Sequence, residues 1–188
     1  MSKANGLTRE KVLGYISGGE STQQELKSSL FFDHKRHAVK PDTPTKELQS
    51  EGVTFACLKT MAAFLNSDGG RLIVGVRNDG TICGISDDFN FCQQKNIDGW
   101  ELKLRDIVKV RFYEGDIVYV YVSTKFETLD GQGICVATIA KRSRLTFFKG
   151  ETGRYCLFIR QGNITIELGI EQVEEYLEDR KRGEALPG

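Results

Sequence analysis

The stretch "LKTMAAFLNSDGGRLIVGVRNDGTICGI", residues 58 to 85, constrains the fold of this chain more than any other. Together with the residues before it, it places Phe55, Leu58, Ala62 and Leu65 at i, i+3, i+7 and i+10, a spacing that lines one side of a helix with apolar groups. "NSDGG" stops that helix, because Gly69 or Gly70 can take the left-handed backbone conformation after the last turn. "RLIVGV" and "TICGI" then flank "RNDG", where Asp79-Gly80 is a strong hairpin signal.

The surrounding pattern alternates in the same way. Residues 8 to 16, "TREKVLGYI", read as a short helix, and "QQELKSSLFF" as a strand with Glu25, Lys27 and Ser29 on one face. The segment from there to Pro41 reads as loop. Thr43 and Pro44 form a cap with proline in the first turn and open a helical region to about Asn66, with Gly52 as its candidate break. Trp100, Leu104, Ile107 and Val108 mark another amphipathic helix. Strands follow at "DIVYVYVS", "GICVATIA" and "YCLFIRQG", separated by "ETLDGQG" and by the basic loop "KRSRLTFFKGETGR". A last helix runs from Ile170 to Arg182, apolar at Ile170, Val173, Tyr176 and Leu177. The expected class is α+β, a mixed, largely antiparallel sheet flanked by helices. Residues 1–17 read as an N-terminal helical extension, 18–182 as the domain and 183–188 as a tail.

At 188 residues, 39% hydrophobic and 28% charged, the chain has the composition of one soluble globular domain. It contains no apolar run of about 18 residues and no secretory h-region at its start, so no membrane association and a cytoplasmic location are expected. Cys57, Cys83, Cys92, Cys135 and Cys156 are scattered without a CxxC pair, and their odd number argues for small buried hydrophobes over a disulfide framework. His34 and His37 form an HxxH beside Asp33, but in a stretch read as loop this is a weak metal signal.

Lys plus Arg equals Asp plus Glu at 26 each, which rules out a global basic field. The distribution says more. Residues 169 to 188 carry six of the acids and three of the bases, leaving 23 basic and 20 acidic residues elsewhere. Local basic patches survive at Lys35, Arg36 and Lys40, and at Lys141, Arg142 and Arg144, followed by Lys149, Arg154 and Arg160. Each patch reads as a phosphate-contacting surface or as ordinary solvated charge. Arg160 and Gly162 in "IRQGN" can hold a phosphate through side chain and amides, or form a turn with a charged edge. Phe147 and Phe148 are candidates to stack on bases, whereas Trp100, on a helical stripe, is expected in the core. No G-x4-GK[ST] loop occurs, so no nucleotide is expected as cofactor.

"ESTQQELKSSLFFD", the block quoted at the outset, "DGWELKL" and "LFIRQGN" occur in the order and spacing of the Schlafen AlbA-like domain, and residues 18 to 180 resemble that family. The resemblance implies a nucleic-acid-binding domain acting on DNA or RNA. It also implies an alternative, because eukaryotic Schlafen proteins cut tRNA and rRNA with two glutamates, an aspartate and a divalent metal. Less favoured is ATP binding, a label some members carry. Transferred by motif, Glu20 and Glu25 match "E-x4-E-[LF]-K", with Leu26 in place of the usual phenylalanine, and Asp68 of "NSDGG" matches the aspartate. These three would be both catalytic residues and ligands to Mg²⁺ or Mn²⁺. The zinc-binding set of the eukaryotic enzymes has no counterpart, so no zinc is expected, and a horseshoe that grips RNA would require a homodimer.

Electrostatics gives the metal reading separate support. Asp68 sits at a helix C-terminus, where the backbone already presents negative charge, and two glutamates alongside would add repulsion. A hard divalent cation with oxygen ligands relieves that conflict. The plain alternative is that Glu20 caps a turn, Glu25 pairs with Lys27 and Asp68 ends the helix without metal. Lys27 is correspondingly a phosphate contact or a salt-bridge partner.

Overall fold

The computed structural model describes residues 6–182. The tail expected at 183–188 and the first five residues of the N-terminal extension lie outside the described residues. Ser50 starts the central helix: its side chain accepts a hydrogen bond from the Val53 amide, and α3 runs over Glu51–Asn66. The 3₁₀ turn Thr45–Leu48 precedes it, so the break falls at Gln49 and Ser50, and Gly52 lies within the first turn. Gly69 ends the helix with φ 75°, its amide returning 3.0 Å to the Phe64 carbonyl. Both glycines of the DGG are also required by space. A Cβ on Gly69 would lie 2.8 Å from the Ile139 carbonyl oxygen, and one on Gly70 2.5 Å from the Phe64 ring.

From there the chain enters β2 (Gly70–Val74), which pairs in parallel with β1 (Gln24–Lys27) and antiparallel with β4 (Gln132–Ile139). Strand β3 (Val122–Leu129) completes a four-stranded mixed sheet of order β1-β2-β4-β3. Leu72 and Val74 of β2 face the large core with Cys135, Ala137 and Ile139 of β4, while Ile73, Ile134 and Val136 face a second cluster under α1 (Arg9–Gly18). Burial on both faces accounts for the unbroken apolar run "LIV", Leu72 to Val74. A second, antiparallel sheet comprises β5 (Phe148–Lys149), β6 (Tyr155–Gln161) and β7 (Ile164–Leu168). Helix α3 packs on β2 and on β6, and α6 (Ile170–Arg182) places Tyr176 on Leu157 and Ile159 of the second sheet. Helix α4 (Ile97–Arg111) buries Trp100, Leu104 and Val108 in the large core, as its stripe predicts. The fold is α+β, with a mixed sheet and an antiparallel sheet flanked by helices.

Four local expectations are corrected. The segment read as loop before Pro41 holds α2 (His34–Val39), capped by Asp33. Strand β1 ends at Lys27, short of Ser29. "TICGI" makes a single bridge, Val76 with Ile82, although Asp79-Gly80 does form the turn. "DIVYVYVS" opens as helix α5 (Gly115–Val118) and a 3₁₀ turn over Tyr119–Tyr121 before β3 begins. There the chain doubles back against α4 so tightly that a Cβ on Gly115 would lie 2.5 Å from the Lys109 Cα, and Glu114 takes φ 56° to enter the turn. Strand β7 lies in a stretch given no element from sequence. No helix among the described residues is long and apolar enough to cross a membrane.

Candidate functional site

Because Leu26 points into the α1 cluster, its neighbours Glu25 and Lys27 project from the opposite face of β1, toward α3 and β6. There Glu25 accepts hydrogen bonds from Lys27 Nζ and, at 3.0 Å, from Arg160 Nη1. The Arg160 guanidinium also donates to the Ser21 carbonyl at 2.7 Å and to Thr165 Oγ1 at 3.2 Å, and stacks over Phe64 at 5.1 Å. Its backbone amide donates to Ser67 Oγ at 2.9 Å. With side-chain exposures of 2% for Arg160 and 12% for Glu25, this is an internal ionic cluster with one cation in excess.

The other two acids of the expected triad lie on adjoining segments. Glu20 accepts from the Leu26 amide at 3.4 Å. Asp68, exposed at the end of α3, pairs with Lys141 Nζ at 2.9 Å, and its carbonyl accepts from Gln23 Nε2 at 3.4 Å. Each acid therefore has its own partner. Among the described residues, no three Asp, Glu, His or Cys side chains group in a way that could hold a metal ion. The charge conflict expected of the triad is relieved in this structure by Lys27, Arg160 and Lys141.

The basic residues divide into two kinds. Lys35 and Arg36 are exposed on α2, Arg36 bridging to the Glu47 carbonyl at 2.8 Å. In the loop after β4, Lys141 and Arg144 are exposed, with 45% and 79% of their side chains accessible. Arg142 between them turns inward. Its side chain is 3% exposed and binds the Glu114 carboxylate, whose pKa is held below the usual range chiefly by that hydrogen bond. Arg142 and Arg160 are thus corrections to the expected surface footprint, since both side chains are enclosed and committed to carboxylates of the protein itself. Lys27, half-buried, is likewise a salt-bridge partner of Glu25. Phe148 and Trp100 belong to the core, and Phe147 is half-buried.

Two residues that hold this architecture carry no periodic signal in the sequence. Asn66 donates to the carbonyls of Thr146 at 2.8 Å and Phe158 at 2.9 Å and accepts from the Thr146 amide at 2.8 Å, fastening the basic loop to α3. The Arg142 amide adds a bond to the Leu65 carbonyl at 2.8 Å, and Arg180 reaches the Arg142 carbonyl. Asp88, fully buried, accepts from the amides of Leu30, Phe31 and Phe32 at 2.8 to 2.9 Å and from the Trp100 indole at 3.0 Å. Burial raises its pKa, and these four donors oppose the rise.

Comparison with known proteins agrees with this arrangement at the level of fold and family. The DIP2311 protein from Corynebacterium diphtheriae superposes with a TM-score of 0.58 at 17% identity, covering 94% of this chain and 32% of that one. The chain thus spans about a third of the length of DIP2311. The N-terminal domain of a RecG-related protein from Nitrosomonas europaea superposes with a TM-score of 0.40 at 15% identity, covering 70% and 71% of the two chains. No curated protein matches the chain. The family model described as "Schlafen, AlbA_2" matches residues 20–169, most of the domain and every motif segment from Glu20 to Gly162, and the chain belongs to that family.

Proposed function

We propose that the chain binds nucleic acid, DNA or RNA, through the exposed cations of the loop after β4 and of α2. One observation carries this reading: the loop is fastened by Arg142, Asn66 and Thr146 yet leaves Lys141 and Arg144 in solvent. A basic loop ordered in advance pays little conformational entropy on meeting a phosphate backbone. Because the chain has no net charge, attraction comes from this local patch, and each neutralised phosphate releases condensed counterions. The test is salt-dependent binding by the protein and by the Lys141→Ala/Arg144→Ala variant. Lys35 and Arg36 extend the same expectation to α2.

A second reading, cleavage of tRNA- or rRNA-like RNA at Glu20, Glu25 and Asp68 with Mg²⁺ or Mn²⁺, is favoured by the adjacency of the three acid-bearing segments around Arg160 and Gln23. The acids as placed do not form a divalent-ion ligand set, so no chemical step is assigned to them. Discrete Mn²⁺-dependent cuts in tRNA that vanish in Glu25→Gln, in a variant verified as folded, would establish this reading. A homodimer would join two basic loops into a wider grip, and sedimentation of the free and RNA-bound protein tests that arrangement.

A further inference from the structure

Two tyrosines stand in solvent beside the basic loop. Tyr113, just past α4, is 56% exposed, and Tyr155, which opens β6, is 51% exposed. Their rings meet edge to face with centroids 5.9 Å apart. Neither ring fills the core, although phenol side chains have much apolar surface to bury. The pair is fixed from behind. The Tyr113 amide donates to the Phe147 carbonyl at 3.0 Å, and Tyr155 is paired in register with Lys149 across β5 and β6.

Cations flank the pair along the chain and across the sheet. Arg144 reaches the carboxylate of Glu114, the residue after Tyr113, at only 3.8 Å, and keeps 79% of its side chain exposed. Arg154, the residue before Tyr155, is 75% exposed in a loose 3.6 Å pair with Glu167, and Lys149 lies opposite Tyr155. Positive charge next to exposed aromatic faces suits a polyanion whose bases are free to stack. Bases inside a duplex are already stacked on one another, which leaves no face for a tyrosine.

We infer that Tyr113 and Tyr155 form a stacking platform that makes single-stranded nucleic acid the favoured ligand of the basic loop. The inference rests on the proposed nucleic-acid binding and names its substrate class. Phosphates of the strand lie along Arg144, Lys149 and Arg154, and a base stacks on the open face of a tyrosine ring, the other ring bracing it edge-on. Stacking of this kind tolerates any base, so the platform selects strandedness over sequence.

The test measures fluorescence anisotropy with a labelled oligouridylate of about 20 nucleotides and an RNA duplex of the same length, a size sufficient to span a single-domain site. Tyr113→Ala/Tyr155→Ala should weaken single-strand binding by about 10-fold or more, leaving the duplex affinity and the salt slope unchanged. Tyr113→Phe/Tyr155→Phe should retain wild-type affinity, because the ring and not the hydroxyl does the stacking. An oligomer carrying iodouracil should photocrosslink to one of the two tyrosines, a readout in the wild-type protein that does not depend on how the variants fold. Unchanged single-strand affinity in the alanine variant, while Lys141→Ala/Arg144→Ala still weakens binding, overturns the platform and leaves the proposed function intact. Absence of binding to either probe by the wild type overturns both. Loss of a dimer in the alanine variant, with RNA affinity unchanged, would assign the tyrosines to contact between copies and likewise overturn the platform.

Discussion

Arg160 Nη1 lies 3.0 Å from Glu25 Oε2, and this pair ties β6 of the antiparallel sheet to β1, the edge strand of the mixed sheet. Two residues 135 positions apart thus close the seam between the two sheets. Both are enclosed, and removing one partner of such a pair leaves a buried charge without its counterion. Glu25→Ala should therefore lose about 3 to 5 kcal/mol of stability, read as a lower urea midpoint at constant slope. Arg160→Met paired with Glu25→Leu should recover part of that loss, since apolar replacement of both partners removes the stranded charge. A stable Glu25→Ala protein would instead show that the carboxylate is dispensable to the fold.

A corresponding effect is expected at Arg142, which separates a scaffold arginine from its exposed neighbours. Arg142→Ala should lower stability clearly, because it removes an enclosed side chain and leaves the Glu114 carboxylate and a buried threonine hydroxyl without their donor. Lys141→Ala/Arg144→Ala should cost less than about 1 kcal/mol, as expected of exposed ion pairs. Thermal melts of the two variants check this ordering.

The same contact predicts a pH response. Arg142 lowers the folded-state pKa of Glu114, so the stabilisation is fully present above the unfolded glutamate value of about 4.3 and is lost as pH falls through the lower folded value. Melting temperature should therefore fall more steeply with acid in the wild type than in Glu114→Gln over that window. Parallel curves for the two proteins would contradict the assignment.

Asp88 should prove indispensable to the loop that follows β1. An amide in its place turns donor hydrogens toward backbone N–H groups, so Asp88→Asn should cost about 2 to 4 kcal/mol. Hydrogen exchange at Leu30, Phe31 and Phe32 should rise first, before exchange in α3.

What the sequence made legible follows from the range of each interaction. Helices α3, α4 and α6 repeat apolar groups within one element, and their spans were readable from Phe55 to Leu65, Trp100 to Val108 and Ile170 to Arg182. Helix α2 has no buried residue and hence no stripe to read; its only local sign was the Asp33 cap. "DIVYVYVS" alternates as a strand would, but Gly115 packed on Lys109 forces a helical turn, a contact outside any local pattern. The motif acids could be brought near one another through family resemblance, and Lys27, two residues from Glu25 on the same strand, could be read as its partner, whereas the other two cations, Arg160 and Lys141, come from β6 and the loop after β4. For the same reason Arg142 could not be told from Lys141 and Arg144. All three stand in one basic run, and only the fold encloses the middle one against Glu114 while its neighbours stay in solvent.

The most direct test of the central claim is the salt dependence of RNA binding in the wild type and in Lys141→Ala/Arg144→Ala. The account predicts that log K falls linearly with log salt in the wild type, and that the variant binds more weakly with a slope shallower by about 1.4 to 1.8, the contribution of two phosphate contacts at about 0.7 to 0.9 each. Affinity independent of salt, or an identical slope in both proteins, would contradict it.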